Sequence, residues 1–287
     1  MRYLGEMINR AILLVGWGAK GTLDAERAVL RLPPDQQADI FIVADHDLTL
    51  DSRASLIRVD FKLPHTLRKA EGIVTHAPKG YDSVLYMDSD ITLLDDVTYV
   101  FAKAEMHGIA MAIAPTYLLD EYRSFGEVLD REGVPRRGQV QYQAGLIAFS
   151  ENARVREVFE KWLELGARHR DVWIRDQPQL SLAFEICGFQ PFVLSKNYNL
   201  RGMFEPVIGK VRVWHNFAAI PGNVNRYEKP YPPRLLARHK IRSLTRRETH
   251  NDWLKYSWRQ LITLPLYRLV TPVLRRVRAL TPTANPK

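Results

Sequence analysis

Unbroken apolar runs alternate with stretches of helical period along most of this chain. An apolar run without polar alternation reads as a strand buried on both faces. Residues 11–15 form such a run and leave through Gly16, Trp17 and Gly18. Residues 39–44 and 83–87 form two more, and 56–61 a shorter one. Helices are predicted between them, over 22–32 up to Pro33 and Pro34, and over 66–76 up to Pro78 and Gly80. Further on, 141–150 reads as a strand. Val155, Val158, Phe159, Trp162 and Leu163 then mark one helix face, with Gly166 as the stop. Asp176 opens another helix, with Pro178 in its first turn and Gly188 at its end. Residues 189–194 and 211–214 read as strands, and the composition shifts near Pro230.

Strands alternating with helices predict an α/β fold with a mostly parallel sheet flanked by helices. In such sheets ligands bind beyond the carboxyl ends of the strands. Asp45, Asp47, Asp88 and Asp90 all fall at such ends. The 287 residues, 46% hydrophobic and 25% charged, exclude a disordered or collagen-like chain. No run of about 20 apolar residues appears, so no membrane-spanning helix is expected. The nearest approach, 261–274, contains Arg268, Pro265 and Pro272. The start carries Glu6 and Arg10, and the run at 11–15 is too short for a secretory signal. The single cysteine, Cys187, cannot form an internal disulfide. A cytoplasmic location is the expectation.

The net charge of +9 is concentrated in the tail. Residues 230–287 hold 13 Lys+Arg and 2 Asp+Glu, whereas residues 1–229 hold 28 and 30. The expected division is therefore a catalytic domain over 1–229 and a basic helical extension over 230–287. Within 253–280, apolar and basic residues interleave, and Pro265 and Pro272 would break the segment into short helices. That pattern suits an anionic membrane surface. It equally suits packing on the body or on a second subunit. A basic block can also bind nucleic acid, so a non-catalytic nucleic-acid-binding protein is a rival reading. It explains the tail and leaves the ordered motifs of the body unexplained.

Those motifs centre on Asp88-Ser89-Asp90. Two carboxylates one residue apart at a strand end can share one hard divalent cation, Mn²⁺ or Mg²⁺. The alternative is an acidic turn, since aspartate is common after strands. Gly16, Gly18 and Gly21 match a dinucleotide-binding spacing literally, which makes a nucleotide-dependent oxidoreductase a second rival. The order of Lys20 and Gly21 excludes a P-loop. A dehydrogenase has no need of the carboxylate pair.

The run from Gly80 to Thr92 resembles the metal-binding segment of GT-A-fold glycosyltransferases, in particular the glycogenin and lipopolysaccharide galactosyl- and glucosyltransferase group. Gln141 to Phe149 resembles that group's phenylalanine-asparagine-serine-glycine strand. An amphipathic helix, Asp176-Gln177, Tyr198-Asn199-Leu200 and Val213-Trp214-His215 follow in family order. Together they cover roughly residues 10–225. Gln143 and Ala144 depart from the group's Asn and Ser. Ala218 stands where a glycine is usual after the histidine, which leaves Arg226 and Lys229 as candidates for a pyrophosphate-binding lysine.

The resemblance implies a GT-A, Rossmann-like fold with a mixed, mostly parallel sheet. It implies transfer of a hexose from a nucleotide sugar, a UDP-sugar by expectation, to a glycan or glycolipid acceptor with retention. Asp88, Asp90 and His215 would hold the divalent metal, although His215 beside Trp214 also reads as a buried structural histidine. Asp176 and Gln177 would sit at the reacting sugar, and Asp176 alternatively caps a helix. Trp17, Gly18, Lys20, Asp45, Lys69, Ser89, Gln143, Ala144 and Gly145 would line the donor. Arg68 competes with Lys69. With a membrane-binding tail, the enzyme would be peripheral on the cytoplasmic face of the inner or plasma membrane.

Overall fold

The computed structural model describes residues 8–34, 36–50, 53–122, 125–171, 176–201 and 210–216. The apolar run at the start forms β1 (Arg10–Gly16), whose residues from Ala11 onward are all buried. Parallel to it on one side lie β2 (Asp39–Ala44) and then β3 (Ser55–Arg58). On the other side lies β4 (Ser83–Met87), also parallel. Next in chain order come β5 (Ile91–Leu93), β6 (Ile109–Leu118), β7 (Val140–Phe149), β8 (Phe192–Leu194) and β9 (Val213–His215). The main sheet runs β3-β2-β1-β4-β7-β6-β8, and β5 pairs with β9 in a separate ribbon. β7 is antiparallel to both β4 and β6, while β8 is parallel to β6. The sheet is mixed and mostly parallel, as the alternation predicts.

Among the described residues six helices flank it: α1 (Gly18–Leu30), α2 (Arg68–His76), α3 (Thr98–His107), α4 (Phe125–Arg131), α5 (Ala153–Arg168) and α6 (Asp176–Cys187). Side chains alternate along β1. Ile12 and Leu14 join Ala25, Ala28, Val100 and Phe101 of α1 and α3 in one core. Leu13 and Val15 join Ile73, Val128, Trp162 and Leu180 of α2, α4, α5 and α6 in the other. Both faces of the sheet are covered, which is why β1 and β4 carry no polar alternation.

Several boundaries differ from the sequence reading. α1 starts at Gly18 rather than at residue 22: only Trp17, in extended backbone, lies between it and β1, and Gly18 enters the helix with a left-handed φ of +66°. Gly16 permits this tight entry: a Cβ there would lie 2.8 Å from the Gly21 carbonyl oxygen. The glycine spacing thus has a packing explanation. Gly166 does not stop α5. It lies inside the helix, where a Cβ would meet Leu67 Cδ2 at 2.4 Å. Close approach to the 3₁₀ turn His65–Leu67 explains the glycine, and α5 runs on to Arg168. That turn also delays α2, expected from residue 66, to Arg68. The strands expected over 56–61 and 189–194 are shorter, and His215 itself belongs to β9.

The elements between 91 and 131 escape the pattern. α3 exposes Tyr99 and Met106, which blurs its apolar stripe. β6 carries Pro115 and shifts register between Met111 and Leu118, consistent with the confinement of strand prolines to edges and bulges. Among the described residues no helix is long and apolar enough to cross a membrane. The amphipathic extension, Ala218, Arg226 and Lys229 lie outside the described residues.

Candidate metal and donor site

The carboxyl end of β4 delivers Asp88 directly from the core. Its N–H donates to the Gly145 carbonyl at 2.8 Å, and its own carbonyl accepts from Ile91 N–H at 3.0 Å, which turns the chain into β5. β5 pairs with β9 so that Ile91 faces His215. The turn between β4 and β5 and the end of β9 thereby meet. Leu200 braces the far side, accepting from His215 N–H at 2.8 Å.

One ligand atom from each of Asp88, Asp90 and His215 lies within 4.8 Å of the others. His215 Nε2 is 3.3 Å from Asp90 Oδ1 and 3.9 Å from Asp88 Oδ2. Burial penalises the charge on Asp90, but the hydrogen bond and charge of His215, with Arg201 and Lys69, hold its pKa below the ordinary aspartate value. The histidine is only 3% exposed. Its Nδ1 is 2.7 Å from Asn199 Oδ1, and that carbonyl, as assigned, requires a proton on Nδ1. Nε2 is then the nitrogen that meets two carboxylates. Lys69 and Arg201 offset part of the carboxylate charge, and a metal ion between Nε2 and the two carboxylates would offset more of it.

The room for that cation is set by Gly145. A Cβ there would lie 2.1 Å from His215 Cε1, 2.9 Å from Nε2 and 3.0 Å from Asp88 Oδ2. Two hard oxygen donors, one imidazole nitrogen and a glycine floor fit a divalent cation of the Mn²⁺ or Mg²⁺ type. A carbonyl on the far ring nitrogen, as Asn199 supplies to Nδ1, is the usual partner of a metal-binding histidine.

Lys69 of α2 sits beside this group. Its Nζ is 2.9 Å from Asp88 Oδ1, 2.9 Å from Asp176 Oδ2 and 3.5 Å from the Ala144 carbonyl. Burial works against its charge, yet Asp176 and Asp88 outweigh it and raise its pKa above the ordinary lysine value. Tyr86, fully buried on β4, donates its hydroxyl to Asp88 Oδ1. Burial and the Asp88 charge push that phenol well up, so it remains a donor. Oδ1 of Asp88 is thus engaged by Tyr86 and Lys69, while Oδ2 accepts from Lys69 at 3.2 Å and faces His215.

The first turn of α6 packs on β7. Trp162 of α5 holds it by donating Nε1–H to the Asp176 carbonyl at 2.8 Å. Gln177 Oε1 accepts from Ala144 N–H at 3.3 Å, and Gln177 Nε2 donates to Gln141 Oε1. The Ala144 methyl is buried in the core, so this residue presents only backbone to the site. Gln143 is 2% exposed, and neither polar atom of its amide has a partner among the described residues.

A second group gathers at the ends of β1 and β2. Asp45 Oδ1 accepts from Gly18 N–H at 2.7 Å, and Arg68 Nη1 lies 4.0 Å from Asp45 Oδ2. Burial opposes the charge on Asp45, but His46 and the Gly18 N–H hold its pKa below the ordinary value. The half-buried Trp17 ring stands edge-on to His65 at 5.2 Å. Ser89 is tied through its carbonyl, which accepts from Arg31 Nη2 at 2.7 Å. Lys20 extends into solvent, its side chain 92% exposed and paired with Asp24 on the same helix. No described contact joins Lys20 to the carboxylate group.

The structure adds Tyr86 and Arg31 to the residues named from sequence, and it gives specific contacts to Asn199 and Gln141, which the sequence names only within the family-like segments. Tyr86 carries a signal in principle, lying two positions before Asp88 on the same strand face. Nothing in the spacing points to Arg31, and the family-like segments leave the contacts of Asn199 and Gln141 unspecified.

No protein-family profile matches the chain, and no curated protein matches it. Solved structures do. The galactosyltransferase LgtC, determined with donor and acceptor sugar analogs, aligns with a TM-score of 0.52 at 15% identity over 72% of this chain and 87% of its own. An active-site mutant of LgtC aligns at 0.50 and 15% identity, covering 73% and 88%. Mouse xyloside xylosyltransferase 1 aligns at 0.50 and 12% identity, covering 75% of this chain and all of its own. Sheet order, flanking helices and these alignments agree: the chain has the GT-A fold of glycosyltransferases.

Proposed function

We propose that this chain is a divalent-metal-dependent glycosyltransferase. It moves a hexose from a nucleotide diphosphate sugar, a UDP-sugar in this reading, to a glycan or glycolipid acceptor with retention at the anomeric carbon. The observation that carries the proposal is the convergence of Asp88, Asp90 and His215 over a glycine whose missing Cβ keeps the space between them free. LgtC, solved with donor and acceptor sugar analogs, shares the fold.

In this reading Asp88, Asp90 and His215 hold Mn²⁺ or Mg²⁺. When bound, the ion supplies Lewis-acid stabilisation of the charge that develops on a departing diphosphate. Asn199 fixes the ring so that Nε2 points inward. Tyr86 and Lys69 orient Asp88. The Lys69 ammonium stays charged beside the site and adds positive potential where an anionic leaving group forms. Asp176, adjacent to Lys69, accepts hydrogen bonds from sugar hydroxyls, and Gln177 faces the reacting carbon. Trp17, Gly18 and Asp45 form the base and ribose end, with Ser89, Gln143, Ala144 and Gly145 along the donor. Residues 1–229 form the catalytic domain. The basic extension over 230–287 binds an anionic membrane and keeps the enzyme on the cytoplasmic face, beside a lipid-linked acceptor.

The test is a screen of nucleotide sugars for hydrolysis and transfer, with Mn²⁺, with Mg²⁺ and with chelator. One donor should be consumed in a metal-dependent way. Asp88→Ala, Asp90→Ala and His215→Ala should each lose metal-dependent turnover while keeping the far-UV spectrum of the folded chain. Full activity of the double aspartate variant in chelator overturns the metal assignment.

A further inference from the structure

β7 runs for ten residues and β4 for five. β4 therefore pairs only with Leu146 to Phe149 of β7. Ahead of that stretch β7 still pairs with β6 on its other edge, but its backbone N–H groups on the β4 side need other acceptors. Side chains of α6 supply them. Ser181 Oγ accepts from Tyr142 N–H at 3.0 Å, and Gln177 Oε1 accepts from Ala144 N–H at 3.3 Å. Gln177 Nε2 then donates to Gln141 Oε1. Gln141 is 1% exposed, and its own Nε2 has no partner among the described residues.

The two contacts fix the Gln177 carboxamide differently. The Ala144 N–H is a backbone donor and cannot be reversed, so it demands the Gln177 oxygen. Gln141 Oε1 then receives the Gln177 amine. Turning the Gln177 amide over would set donor against donor at Ala144 and acceptor against acceptor at Gln141. One Nε2 hydrogen and one Oε1 lone pair remain for a ligand.

We propose that Gln141 is a positioning residue that locks the orientation in which Gln177 meets the reacting sugar, an inference resting on the donor-site reading above. Gln141 would not touch the sugar itself. Its effect on turnover would pass through Gln177.

The experiment uses the full chain and three variants: Gln141→Met, which keeps shape and loses the acceptor, Gln141→Glu, which keeps the acceptor, and Gln177→Ala. Gln141→Ala stands in if the Met variant does not fold. The side-chain amide resonances of Gln177 are identified by their loss in Gln177→Ala. In Gln141→Met they should move toward solution values and exchange with solvent about tenfold faster, the factor that one lost hydrogen bond carries. Turnover should fall by a similar factor with donor KM nearly unchanged, and Gln141→Glu should restore most of it. In the Gln177→Ala background, Gln141→Met should have no further effect. Unmoved Gln177 resonances in Gln141→Met, or an equal loss of turnover in both backgrounds, overturn the proposal. A wild-type chain that consumes no nucleotide sugar overturns the functional reading instead, and the amide resonances still decide the role of Gln141.

Discussion

Asn199 Oδ1 faces His215 Nδ1 at 2.7 Å, and this contact decides which ring nitrogen points at Asp88 and Asp90. The segment from Asn199 reaches the ring because Leu200 bridges Trp214 and accepts from His215 N–H. The backbone pairing and the side-chain contact therefore act on the same residue, one holding its position and the other its tautomer.

Removing that carbonyl should weaken the metal site without removing a ligand. Asn199→Leu should lower Mn²⁺ affinity by about 10- to 100-fold, the usual cost of losing the hydrogen-bond partner that orients a ligating histidine. Asn199→Asp keeps an acceptor on Nδ1 and should retain affinity. Titration by electron paramagnetic resonance of free Mn²⁺ measures both. Equal affinities for wild type and Asn199→Leu would show that the ring is oriented by β9 alone.

Gly145→Ala tests the space between the ligands. The new methyl would land 2.1 Å from His215 Cε1 and 3.0 Å from Asp88 Oδ2. Both belong to groups held by other contacts, so the ring and carboxylate have to separate. Mn²⁺ binding should fall by at least about tenfold, with overpacking costing about 1–3 kcal/mol of stability. A variant that binds Mn²⁺ normally would move the metal away from this floor.

Asp88 and Asp90 are legible in the sequence because carboxylates directly after a wholly apolar strand have to emerge at its end. The grouping of His215 with them is legible only through the ordered resemblance, since the pairing of Ile91 with His215 joins distant parts of the chain. Tyr86 is hidden for a physical reason: inside an apolar strand an aromatic residue reads as core, and that reading masks its place two positions before Asp88. Gly166 is misread because a glycine that admits Leu67 looks, in one dimension, like one that ends a helix. β6 is missed because its register shifts break the periodic signal around Pro115. Local pattern reports burial and direction well. It does not report which side chains from separate elements share a carboxamide or a tautomer.

A pH effect on stability should arise away from the metal group, where α4 meets the end of α5. Glu132 Oε1 lies 2.6 Å from His169 Nε2, and Glu132 Oε2 lies 2.8 Å from Arg168 Nη1. Burial raises the Glu132 pKa, but His169 and Arg168 outweigh it, and the folded value is depressed. A carboxylate depressed in the folded state stabilises above its ordinary value of about 4.3. That contribution is lost as pH falls through the lower, folded value. Glu132→Gln should therefore cost about 1–2 kcal/mol at neutral pH and nothing once the wild-type carboxylate is protonated. Melting temperatures of the two proteins, measured from pH 7 downward, should converge on the acid side. A constant gap would assign the effect to packing rather than charge.

The basic extension is tested by vesicles. Residues 230–287 carry 13 Lys+Arg against 2 Asp+Glu, and each basic residue near an anionic surface contributes about 1 kcal/mol. Leu261, Leu264, Leu266, Leu269 and Val273 lie among those charges and could enter the headgroup boundary. The full chain should sediment with vesicles containing phosphatidylserine or phosphatidylglycerol, and less so as salt is raised, because screening shortens the attraction. A chain ending at Pro230 should remain in the supernatant and still hydrolyse the soluble donor. Two outcomes count against the membrane reading: equal sedimentation of both forms, or none by the full chain. A full chain that ignores vesicles but gains stability over the truncated one assigns the extension to packing on the body or on a second subunit. Retention of nucleic acid through purification, lost on raising salt, would instead favour the anionic polymer that a basic block can also bind.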